Sequence, residues 1–144
     1  MTNSELAISR TIALYGQLLD DRCFDEWGRL FTEDAIWAIP GVRFEGRPAI
    51  VEGVAAMEPP VTGLVRHFSF TPVVEIDTPG HAFAWTDLMA MSRPARDAAW
   101  EIAATGRYCD ELVEADGTWL FKLRAADLDP DVPPMPAFSR TPRI

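Results

Sequence analysis

Hydrophobic positions recur at helical spacing at the start of the chain and alternate further along, and the change of period divides it in two. Ile8, Ile12, Tyr15 and Leu19 form one stripe, widened by Leu14 and Leu18, and Thr2 with Glu5 supplies a capping-box spacing ahead of it. This predicts a first helix. Asp20 falls about 100° from the centre of that stripe, on the side of Ser9, Ala13 and Gly16, whose small side chains leave room beside a carboxylate. A second helix is expected almost at once, with Phe24, Trp27, Leu30 and Phe31 inward and Asp25 and Glu26 in its first turn. Residues 35–45 read as a short strand or hairpin broken at Pro40-Gly41. Pro48 suits the first turn of a third helix, striped by Ile50, Val54 and Met57 and ended by Pro59-Pro60.

After residue 64 the period becomes two. Strand-like runs cover about 65–76, 82–92, 99–113 and 118–127, separated by turn signals such as Asp77-Thr-Pro-Gly80 and Asp116-Gly117. In the first run, alternation sets His67, Ser69, Thr71 and Val73 on one face and Phe68, Phe70 and Val74 on the other. Helices followed by antiparallel strands predict an α+β domain over residues 1–128, with a bent sheet folded over the helices. From Asp129 onward five of the 12 prolines crowd into an aperiodic stretch, so residues 129–144 are expected to form an extended tail.

Size and charge narrow the function. A chain of 144 residues buries roughly 68–70% of its unfolded surface, enough for one core without metals or disulfides. The net charge of −9 argues against nucleic acid or anionic lipid as the main partner. No apolar run approaches the ~18 residues of a membrane span, and the N-terminus does not read as a signal peptide, so a cytoplasmic protein is expected. Cys23 and Cys109 provide no zinc set or disulfide framework and no evident activating base. Phosphate loops, nucleophile elbows and zinc-protease motifs are missing, so neither metal nor cofactor is expected. The apolar row on the sheet predicts a homodimer or homotrimer that covers it.

Only two histidines are present. His81, after Gly80, reads as a solvated turn residue, whereas His67 lies within a strand. Residues alone leave Asp20 and His67 as two candidates with no stated distance between them. Trp37, Trp85 and Trp100 are candidates for an aromatic pocket or for packing, and Tyr108 could supply a hydroxyl.

The ordered set Tyr15-Gly-Gln-Leu-Leu-Asp20, Trp27 to Trp37, Phe44-Glu-Gly46-Arg-Pro-Ala-Ile50, Arg66-His67-Phe, Gly106 to Asp110 and Asp116 to Arg124 resembles an NTF2-like, SnoaL-like domain over about residues 5–128. The resemblance implies a cone with three N-terminal helices packed on a curved, mostly antiparallel sheet around a deep pocket. Its spacing is most similar to the scytalone dehydratase and hexachlorocyclohexane dehydrochlorinase branch. There, an aspartate near the end of the first helix and a strand histidine form a dyad, and Asp20 and His67 stand at the matching positions. The resemblance therefore implies a cofactor-independent lyase, dehydratase or isomerase acting on a small apolar, aromatic or cyclic substrate. Catalysis would fall to Asp20 and His67, and substrate binding to Tyr15, Trp37 and Tyr108. Two features depart from scytalone dehydratase: residues 82–92 lack a second histidine, and position 39 is Ile rather than tyrosine. A polyketide-cyclase type, an epoxide-hydrolase type using Asp87 or Arg107, and a non-catalytic binding module are the alternatives.

Overall fold

A computed structural model describes residues 2–58 and 63–129. Helix α1 (Asn3–Asp20) starts with the capping box, Thr2 accepting from the Glu5 N–H while the Glu5 carboxylate accepts from the Thr2 N–H. It ends in a Schellman turn: the Cys23 N–H bonds the Leu18 carbonyl and the Arg22 N–H bonds the Leu19 carbonyl. Arg22 takes the left-handed position usually given to glycine, with φ of 59°. Helix α2 (Phe24–Gly28) is a little over one turn. The second helix is thus shorter than its stripe suggested, because Phe31 opens strand β1 (Phe31–Ile39) instead. Strand β2 (Val42–Glu45) folds back on β1 through Pro40-Gly41, and α3 (Arg47–Met57) carries Pro48 in its first turn.

Five strands follow: β3 (Leu64–Ser69), β4 (Val73–Thr78), β5 (His81–Arg93), β6 (Glu101–Ala115) and β7 (Thr118–Leu128). The sheet order is β2-β1-β7-β6-β5-β3, with β4 also on β5. All pairs are antiparallel except β1 with β7. The run read as one strand over 65–76 is two. Pro72 has no N–H to give a ladder, and β3 and β4 lie end to end along β5, His67 opposite Ala90 and Val74 opposite Ala84. The break also changes the phase: Val74 packs on the core while Val73, opposite Trp85, is exposed on the outer face with Phe68 and Phe70. Register shifts in β4, β5 and β6 bend the sheet.

The helices cover the inner face, α1 against β3 and β7, and α3 against β1 and β2. Thr11 on α1 donates to the Trp119 carbonyl at 2.8 Å, and Arg47 on α3 donates to the Phe31 carbonyl. Between the layers, Tyr15, Trp27, Phe31 and Phe121 pack edge to face or tilted, centroids 4.8 to 6.2 Å apart. Residues 130–144, most of the expected tail, and Pro59-Pro60 lie outside the described residues. Among the described residues, no helix is long and apolar enough to cross a membrane.

Candidate active site

Asp20 occupies the last turn of α1, where a carboxylate meets the negative end of the helix dipole and no basic residue offsets it. Its compensation comes from β3. The Asp20 Oδ1 lies 2.6 Å from His67 Nδ1, and the His67 main-chain N–H donates to both carboxylate oxygens at 3.0 and 3.2 Å. The Asp20 side chain is almost fully buried, and Arg66 stands 3.8 Å away at its solvent side. A carboxylate only accepts, so Nδ1 carries the ring proton and Nε2 is left as a proton acceptor. Helix and strand approach this closely because residue 16 is glycine. A Cβ there would sit 3.0 Å from the His67 carbonyl oxygen.

His67 forms part of the wall of an apolar cavity of about 190 Å³ between α1, α3 and the sheet. Tyr15, Trp37 and Tyr108, the three expected binding residues, also line it. Leu19, Leu88 and Leu128 supply apolar wall, and Ile39 stands where a tyrosine was noted as missing. The remaining ionisable group on the wall, among the described residues, is Glu58, just after α3, which the sequence reading did not single out.

Under the cavity floor lies a buried polar cluster that was also missed. Arg124 on β7 and Asp110 on β6 are fully buried and paired at 2.7 Å. The Arg124 guanidinium sits 3.6 Å from the Tyr108 ring centroid and 4.0 Å from that of Tyr15. Trp37 Nε1 donates to the Tyr15 hydroxyl at 2.9 Å. Burial pushes the Tyr108 phenol up, against the pull of the Arg124 charge. The Tyr108 phenol therefore keeps its proton. Burial also pushes the Asp110 carboxyl up to about 7, against the attraction of Arg124. Arg124 Nε and Nη2 and Asp110 Oδ1 find no hydrogen-bond partner among the described residues. Asp110 could have been suspected, being in phase with Tyr108 and Leu112 along β6.

Other candidates fall elsewhere. Trp85 is buried but alternates onto the outer side, and Trp100 is partly exposed beneath Arg93. Asp87 and Arg107 pair with each other at 2.6 Å on the outer face, so neither serves the epoxide-hydrolase arrangement. His81 is not a solvated turn residue: Asp77 and Glu111 hold its two ring nitrogens at 2.5 and 2.8 Å. Cys109 is buried and Cys23 half-buried. No three His, Cys, Asp or Glu side chains converge as metal ligands among the described residues.

This arrangement of helices, sheet and cavity is that of the NTF2-like superfamily, and the chain belongs to its SnoaL-like domain family, whose profile matches residues 1–125. A variant of Rv3472, a protein of unknown function from Mycobacterium tuberculosis, is 26% identical with a TM-score of 0.77, over 88% of this chain and 72% of that one. A Novosphingobium aromaticivorans protein provisionally named a scytalone dehydratase is 25% identical with a TM-score of 0.72, over 85% and 82%. ActVI-ORFA of Streptomyces coelicolor, 21% identical with a TM-score of 0.80 over 89% and 98%, shares the fold. No curated protein matches the sequence.

Proposed function

We propose that the protein is a cofactor-independent lyase or isomerase that removes a proton from carbon in a small aromatic or cyclic substrate. One observation carries the reading: the 2.6 Å contact of Asp20 with His67 Nδ1, at the wall of an apolar cavity. Asp20 fixes the tautomer and steadies the imidazolium that forms, and Nε2 takes the proton. The Tyr108 hydroxyl, with Arg124 behind it, is the donor for the oxygen on which charge develops. A dry apolar cavity of about 150 Å³ holds benzene, so about 190 Å³ suits a substrate the size of a small aryl ketone. The neighbour provisionally named a scytalone dehydratase is consistent with this chemistry.

Proton abstraction is common to lyases and isomerases, so exchange of the α-hydrogens of α-tetralone in deuterium oxide, followed by NMR, tests it directly. The wild type should accelerate exchange over buffer, and His67→Ala should lose about 10²–10⁴-fold. Asp20→Asn should lose part of that, and the double variant should be barely slower than His67→Ala, since the two act as a unit. Equal exchange by wild type and His67→Ala, or tight binding of α-tetralone without exchange, would leave a binding module in place of an enzyme.

A further inference from the structure

The ion pair beneath the cavity has more charge than hydrogen bonding to hold it. Arg124 Nη1 donates to Asp110 Oδ2 at 2.7 Å, while Arg124 Nε and Nη2 and Asp110 Oδ1 are buried without a hydrogen-bond partner among the described residues. Buried pairs of this kind often add nothing to stability over apolar residues of the same volume, so holding the fold together does not account for it. The surroundings of the guanidinium are aromatic instead. The ring centroids of Tyr108, Tyr15 and Phe121 lie 3.6, 4.0 and 4.5 Å from its Cζ. Two of those rings, Tyr15 and Tyr108, form part of the cavity wall. A cation held on the face of a phenol favours negative charge at and around its oxygen, and burial leaves that field poorly screened.

Asp110 works against the same field. Burial pushes the phenols of Tyr15 and Tyr108 up, Arg124 pulls both down, and Asp110 pushes both up again. Few groups face Asp110 in turn. Arg124 from β7, Tyr108 from its own strand and Tyr15 from α1 are ionisable, whereas β5 sets Ala84 opposite it and Thr86 opposite Tyr108. With a proton on Asp110 the pair carries one positive charge, and without that proton the two charges cancel.

Resting on the proton-abstraction reading above, we propose that Arg124 and Asp110 are positioning residues for Tyr108: the guanidinium supplies, through the phenol ring, the positive field that meets negative charge in the cavity, and a proton on Asp110 switches that field on. Both act through the Tyr108 ring and not by contact with substrate. Burial pushes the Asp110 carboxyl up to about 7 against the attraction of Arg124. The field is therefore full in mildly acidic solution and fades as pH rises through neutrality. His67 must be neutral to accept a proton, so base and field make opposite demands on pH.

Two variants fix the charge that the wild type varies. Asp110→Asn holds it at one positive charge at every pH, and Arg124→Met combined with Asp110→Asn holds it at zero without leaving a lone ion. The first readout is binding of 4-nitrophenol, a single ring whose phenolate is coloured and whose phenol is not, followed by absorbance from pH 5 to pH 9. Asp110→Asn should bind the phenolate at least about tenfold more tightly than the double variant throughout. The wild type should match Asp110→Asn at pH 5 and approach the double variant at pH 9. Asp20 and His67 are common to all three proteins, so their effect on the probe cancels. The second readout is α-tetralone exchange. The alkaline fall of kcat in the wild type should vanish in Asp110→Asn, and the double variant should lose about tenfold in kcat with KM within about threefold. Equal phenolate affinity in the two variants, an alkaline fall retained in Asp110→Asn, or no phenolate binding by the wild type at pH 5 overturns the proposal. A pair that served packing alone would give the first two of those results. Absence of exchange in the wild type would end the proton-abstraction reading only, because phenolate binding is judged without turnover. Should Asp110→Asn not fold, the wild type at pH 5 and pH 9 against the double variant makes the same comparison.

Discussion

Replacing Arg124 with methionine tests how the polar cluster beneath the cavity is held. The guanidinium is fully buried, bonded to Asp110 at 2.7 Å and enclosed by the rings of Tyr15, Tyr108 and Phe121. Methionine fills similar space but leaves the Asp110 carboxylate without a partner. Breaking one side of a buried pair costs about 3–5 kcal/mol, a large part of the roughly 5–15 kcal/mol that holds a domain folded. The pH dependence has a definite sign. An Asp in the unfolded chain titrates at about 4, whereas Asp110 in the fold is pushed up to about 7. The folded state thus binds this proton more tightly, and its stability falls as pH rises between those values. Losing Arg124 raises the carboxyl further, so the penalty keeps growing above neutrality. Urea melts followed by tryptophan fluorescence should show a midpoint lowered by about 2 M at pH 8, taking a slope of about 2 kcal/mol/M, and by distinctly less at pH 6. Adding Asp110→Asn should recover most of the loss at pH 8. A single variant as stable as the wild type at pH 8, or a double variant no better than the single, would refute the account.

Gly16→Ala should gain about 1 kcal/mol of helix propensity but push α1 off the His67 carbonyl, 3.0 Å from the new Cβ. The expected result is a nearly unchanged melting temperature with α-tetralone exchange slowed about tenfold, because the reacting geometry shifts by tenths of an ångström. His81 is raised by Glu111 and Asp77, so its contribution to stability is complete below about 6.5 and lost as pH rises through its folded value. His81→Gln should therefore lower the melting temperature more at pH 6 than at pH 9, as calorimetry would show. The exposed row of Phe68, Phe70 and Val73 should join copies into a homodimer or homotrimer. Sedimentation showing only a 16.0 kDa species at micromolar concentration would contradict that.

What the residue pattern reveals is mostly local. Thr2 and Glu5 announce the start of α1, and alternation in 82–92 and 118–127 places β5 and β7 to within a residue or two. Helical geometry sets Asp20 on the side of Gly16, which is the side that β3 approaches. That His67 would be the partner, 47 positions along, came from resemblance, because no local rule measures a distance across a fold. Glu58 was passed over since a lone acid at a helix end reads as solvated; its place on a cavity wall depends on strands far along the chain. Phe31 fitted the helical stripe, and the backbone of β7 decided against it, its Phe121 N–H reaching the Leu30 carbonyl at 2.8 Å.

The hydrogen bond from the His67 main chain to Asp20 has a consequence apart from chemistry. Strand β3 ends the sheet on its side, and an outermost strand with bare N–H groups invites another chain to add to it. The carboxylate occupies the donor at that position, which leaves the edge one fewer N–H to offer an incoming strand. Whatever chemistry the site performs, position 20 needs an acceptor to keep that donor occupied. Persistence of a carboxylate, amide or hydroxyl there would then record the defence of an open edge, and would not by itself be a signature of catalysis.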